Sequence, residues 1–177
     1  MKLLLLFFIF AFTSYPMISE AQTLPEPRQS PIGLTRMMMD DTYVKVVYGR
    51  PNVRDREIFG ALVPFGEVWR TGANEATEIT TTRDILFGEQ LLKAGTYSLF
   101  TIPGKEEWII IISSQLGLWG SYTYSPERDV LRLTLPVETP EQKVNLFTMV
   151  LESRNDTSAS LTMEWEHSRI VVPIRKP

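Results

Sequence analysis

Residues 96–114, TYSLFTIPGKEEWIIIISS, decide the fold. TYSLFTIP and WIIIISS are rich in β-branched and aromatic residues, the types that fit a pleated surface. Gly104-Lys105-Glu106 between them supplies turn chemistry, so the two runs form a hairpin. WIIIISS is apolar at consecutive positions. A strand with one wet face alternates, so this one is covered on both faces and lies centrally in its sheet.

The same signal continues on either side of the hairpin. Tyr43–Tyr48 is a strand closed by Gly49, Pro51 and Asn52, and ATEITTT, from Ala76, is another. DILF and QLL turn at Gly88-Glu89, and Lys93-Ala94-Gly95 makes a further turn. Leu131, Leu133, Leu135 and Val137 alternate with Arg132 and Thr134. KVNLFTMVLES is a long strand, with a turn beginning at Asn155-Asp156. SLTMEWE and SRIVVPI alternate again. Roughly eight to ten strands with short turns and no long amphipathic helix predict an all-β fold, an antiparallel β-sandwich, with a closed barrel as the rival. Residues 53–75 break the pattern. They form one long loop in which REIFGAL is compatible with a helical turn. Ile58, Phe59, Leu62, Val63, Phe65, Val68 and Trp69 make it too apolar for disorder, so it is expected to be ordered.

The first 21 residues are expected to be a signal peptide. Lys2 precedes an unbroken apolar run, Leu3–Phe12, and Ser19-Glu20-Ala21 fits a small-x-small cleavage site. A retained anchor or a buried helix is the alternative, but polar QTLPEPRQSP follows at once. Residues 22–36 are expected to be a flexible leader, and residues 37–177 one sandwich domain. The product is exported, to the periplasm or beyond, with no membrane partner after cleavage. The formal net charge is −3, without a basic stripe, which argues against nucleic acid and anionic membranes as partners.

The chain has no cysteine, which excludes disulfides, zinc-thiolate sites, thiol catalysis and a lipid-anchored cysteine. Its one histidine, His167, falls at a turn and cannot build a histidine-rich metal site. No nucleophile elbow, phosphate-binding loop or dinucleotide fingerprint occurs. No cofactor or metal is expected.

Several stretches together resemble a known family. They are YGRP (48–51), IFGALVPFGEVWRTGANEAT (58–77), LLKAGTYSLFTIPG (91–104), EW (107–108), WGSYTY (119–124) and DVLRL (129–133). They are similar to the bacterial domain-of-unknown-function family numbered 2911, over about Met38 to Ile174. The resemblance implies an exported bacterial protein and carries over no catalytic residue.

The chemistry therefore has to come from the residues. Arg50, Arg54 and Arg56 follow the first strand, and residues 69–77, WRTGANEAT, close the long loop. An arginine offers a planar fork of donors suited to carboxylate or phosphate. Asn74 offers donor and acceptor, and Trp69 a flat apolar wall. A pocket for a small polar or anionic ligand is expected from Arg50, Trp69, Arg70, Asn74, Trp119 and Tyr122. In the enzyme alternative, a hydrolase, Glu75 is the general acid or base. Burial beside Trp69 would raise its pKa and Arg70 would lower it. In a third class, a structural or interaction domain, Arg70 pairs with Glu75 or Glu67 and merely pins the loop. GLWGSYTY (117–124) is open to two roles: an exposed aromatic platform, or closure of one end of the core.

Overall fold

The computed structural model describes residues 27–177. The segment expected to direct export, residues 1–21, lies outside the described residues.

Eleven strands form two antiparallel sheets, as the alternating apolar runs require. The first sheet contains β1 (Ile32–Met39), β2 (Thr42–Gly49), β3 (Thr77–Thr81), β6 (Gly95–Pro103), β7 (Glu107–Ser113) and β8 (Asp129–Pro136), in the order β1-β2-β3-β6-β7-β8. The second contains β4 (Ile85–Phe87), β5 (Gln90–Leu92), β9 (Val144–Asn155), β10 (Ser158–Glu166) and β11 (Ser168–Arg175), in the order β5-β4-β11-β10-β9. The only helical element among the described residues is a single 3-10 turn, Pro126–Arg128. The deciding hairpin pairs Ser98 with Ser113 through Pro103 with Trp108.

The core lies between the sheets. Val44, Val46, Ile79, Leu99, Ile110 and Ile112 of the first face Phe147, Met149, Leu161, Met163, Ile170 and Val172 of the second. β7 is covered on its other face too. There Ile111 joins Phe100 and Ala76 in a smaller cluster, roofed by Val68, Leu118 and Tyr124. This is the physical content of four consecutive isoleucines.

Two expectations are corrected. Residues 32–36, placed in a leader, are the first half of β1, which pairs with β2 from Ile32–Gly49 to Met39–Thr42. The inward positions of β1 are Gly33, Thr35, Met37 and Met39, while Ile32, Leu34 and Met38 face out. The usual apolar alternation is thus inverted along its first half. REIFGAL is not helical. Val63 N–H donates to Ile58 C=O and Gly60 N–H to Val63 C=O, closing a compact turn.

The sheets are joined beside β9. Tyr48 is buried, and its hydroxyl accepts from Met149 N–H (2.8 Å) and donates to Met149 C=O (3.2 Å). Leu151 N–H donates to Thr35 Oγ1 (2.9 Å). The long loop, residues 50–76, therefore begins where the two sheets meet.

Candidate functional site

Trp69 fixes the end of the long loop. It exchanges backbone hydrogen bonds with Thr101 of β6 (2.7 and 2.9 Å), and its Nε1 donates to Gly72 C=O (3.1 Å). Its ring stacks on Trp165 of β10 with centroids 5.7 Å apart and planes 16° from parallel. Phe59, Trp108 and Phe147 meet it edge-on.

The next residues are held in unusual backbone. Thr71 and Asn74 have φ of 55° and 65°. Left-handed backbone is a genuine outlier for a β-branched residue such as Thr71. It persists because Thr71 Oγ1 donates to Thr101 Oγ1 (3.1 Å) and Thr77 Oγ1 donates to Thr71 C=O (2.7 Å). The loop also presses onto the end of β2: a Cβ added to Gly49 would lie 2.0 Å from Ala73 O. Only glycine permits that approach.

These constraints aim Arg70 and Asn74 into a cleft of about 500 Å³. Trp69, Trp119 and Trp165 supply flat walls, with Leu62 and Val63 beside them. Among the described residues four arginines line it, Arg28, Arg54, Arg56 and Arg70, and no carboxylate does. Three of the four are engaged. Arg28 donates to Glu75 (2.7 Å), Arg54 to Gln29 Oε1 (3.1 Å), and Arg56 to the carbonyls of Asn52 and Val53 (2.7 and 3.0 Å). Arg70 forms no salt bridge among the described residues, and its Nε is buried without a partner. Burial pushes its pKa below the ordinary arginine value, with Tyr122 opposing. The Nε1 of Trp165 is likewise buried and unpartnered.

The expected site residues separate. Trp69, Arg70, Asn74 and Trp119 come together in the cleft. Arg50 does not line it: its Nε donates to Phe147 C=O (3.2 Å) and its Nη2 to Thr148 Oγ1 (3.0 Å) of β9. Glu75 faces an adjoining groove, and its pairing is with Arg28, not Arg70. The hydrogen bond from Arg28 holds its carboxyl below the usual glutamate range. Tyr122 is 84% exposed and Trp119 62% exposed, so neither closes the core. Tyr124 does pack inward, on Phe100 (5.0 Å). Burial, with its bond to Asp129, pushes the Tyr124 hydroxyl up to about 12. Arg28, Asn52, Leu62 and Trp165 were not anticipated as site residues. Arg28 lies 47 residues from its partner, and no sequence period announces such a contact.

A prediction arises from the Arg28–Glu75 pair. A carboxyl with a lowered folded pKa adds stability that is fully present above its unfolded pKa. That stability disappears as pH falls through the folded value. Glu75→Gln is therefore expected to be less stable than wild type at neutral pH, by the small amount typical of an exposed pair. The two unfolding curves should converge in acid. A difference that widens on acidification would refute the assignment.

Residues 30–174 match the family described as "Protein of unknown function (DUF2911)". No curated protein and no solved structure matches the chain. The match spans most of the sequence, and the chain belongs to that family.

Proposed function

We propose that this member of the DUF2911 family binds a small ligand bearing a carboxylate or phosphate, with Arg70 as its principal polar contact. The observation that carries this is the half-buried Arg70 guanidinium, its Nε unpartnered, in a cleft that among the described residues is lined by arginines and no acid. A buried donor without a partner is costly, on the order of 1–3 kcal/mol, unless something supplies the acceptor. The strained backbone at Thr71 and Asn74 supports the same reading, because such strain clusters at ligand sites. The volume is within the range of small-molecule pockets. Asn74 adds a donor and an acceptor, and the tryptophans offer flat apolar surface beside them. In this proposal the protein acts after export, on a ligand of the periplasm or the surrounding medium. A hydrolase built on Glu75 gains no support: its carboxylate is tied to Arg28, which leaves no proton for a general acid and makes it a weaker general base.

The test is thermal unfolding of the purified protein with inorganic phosphate and with succinate as probes. At a hundred times its Kd, a ligand stabilises by about 2.7 kcal/mol. Arg70→Met is expected to raise the stability of the free protein by about 1 kcal/mol, since it removes an unsatisfied buried donor. It should also abolish the anion-induced shift. Arg50→Ala should behave in the opposite way. It loses about 1.5–3 kcal/mol through the severed bonds to β9, yet keeps the anion response. Equal shifts in Arg70→Met and wild type would sink the proposal.

A further inference from the structure

A second cavity adjoins the cleft. It is a groove of about 310 Å³, walled by Ile32, Val47, Tyr48, Leu118 and Trp119. Among the described residues Trp119 is the one common to the two linings.

The partition between them is built by main chain. Residues 117–120 run antiparallel to residues 74–76, with Glu75 paired to Trp119. Gly120 N–H donates to Asn74 C=O and Ala76 N–H to Leu118 C=O, both at 2.9 Å. Asn74 thus belongs to the cleft and Ala76 to the groove, one residue on either side of the pair. Trp119 stands at this boundary with 62% of its surface in solvent and no aromatic partner among the described residues. An indole left uncovered at the junction of a cationic and an apolar cavity is placed to be covered by something that occupies both.

The charges distinguish the two halves. Arginines line the cleft. The groove has the carboxylates Glu75 and Glu78, of which Glu75 is already neutralised by Arg28. Glu78 makes no salt bridge among the described residues. A second anionic group in the groove would meet that charge, whereas a hydrocarbon would gain the apolar wall.

We propose that the ligand is bipartite, with its anionic group at Arg70 and an apolar arm crossing Trp119 into the groove. The inference rests on the cleft as an anion site and adds the chemistry of the remainder of the molecule. The groove wall also gives the outward side chain of Ile32, at the start of β1, a role other than packing.

Isothermal titration with methyl, butyl, hexyl and octyl phosphate, below their micellar concentrations, tests it. Acetate, butyrate, hexanoate and octanoate in parallel separate a carboxylate head from a phosphate head, and a chain-length gain in either series suffices. In wild type the affinity should rise about two- to fourfold per methylene until the groove is filled. Ile32→Glu alters an exposed side chain of the groove alone, so the fold is kept. It should flatten the chain-length dependence while methyl phosphate or acetate binding stays within about twofold. Trp119→Ala should flatten it too. If the shortest anions do not bind, or bind without regard to Arg70, the cleft reading itself fails. If they bind through Arg70 and longer chains add nothing, the bipartite inference alone fails. A gain that persists in both Ile32→Glu and Trp119→Ala, or one equally present in Arg70→Met, is adsorption elsewhere and also overturns it.

Discussion

Trp69→Ala is expected to lower the unfolding free energy by about 3–5 kcal/mol, the range for deleting a large buried aromatic. Trp69 is 6% exposed and touches four other rings: Phe59, Trp108, Phe147 and Trp165. Truncation removes the stacked contact with Trp165 and orphans Gly72 C=O, the acceptor of its Nε1. Repacking cannot refill the hole cheaply, because Trp108, Phe147 and Trp165 belong to strands of both sheets. The loss should appear as a lower urea midpoint with an unchanged slope. Trp69→Phe keeps most of the ring and forfeits the hydrogen bond, so it should cost clearly less. If alanine is tolerated as well as phenylalanine, the ring cluster is not what holds the loop.

Gly49→Ala should be nearly as damaging, although it adds a single methyl group. The new Cβ would sit 2.0 Å from the carbonyl oxygen of Ala73 and 2.8 Å from its carbon. Neither atom is the movable end of a side chain, so main chain must give way. Overpacking of this kind costs about 1–3 kcal/mol and more where backbone shifts, and we expect about 3 kcal/mol. The displaced segment, residues 71–74, is the one that aims Arg70 and Asn74. The variant should therefore lose its anion response even where it remains folded. Gly66→Ala is the control. Beyond its chain neighbours no described atom lies within 4 Å of its added Cβ, and its φ of 80° alone should cost about 1–2 kcal/mol. Similar losses at the two positions would remove the backbone contact from the explanation.

Most of the fold was legible in the sequence because most strands bury one face and wet the other. Leu131, Leu133 and Leu135 announce β8, and the isoleucines of β7 announce a strand covered twice. β1 was not legible for the same physical reason in reverse. Its larger apolar side chains, Ile32 and Leu34, point outward, and its inward face begins with glycine and threonine. Within the site, WRTGANEAT drew attention by composition, and Trp69, Arg70 and Asn74 do meet in one cleft. Arg50 carried an identical composition signal and is held by β9. Residue type cannot distinguish an arginine held by a carbonyl from one left free. Glu75 illustrates the same limit, because its partner Arg28 sits in a stretch rich in proline that resembled a leader.

The aromatic back of the cleft has a kinetic consequence. Its lining runs from Arg28 to Trp165, and Tyr48 is tied to Met149 across 101 residues. Contacts so distant along the chain form late, after the entropy of closing large loops has been overcome. A nascent chain lacking β10 has Arg70 but no Trp165 behind it. The cleft therefore comes into being only with the finished sandwich. Ligand capture would then report completion of folding, and a bound ligand would slow the global unfolding of the sandwich instead of protecting one loop.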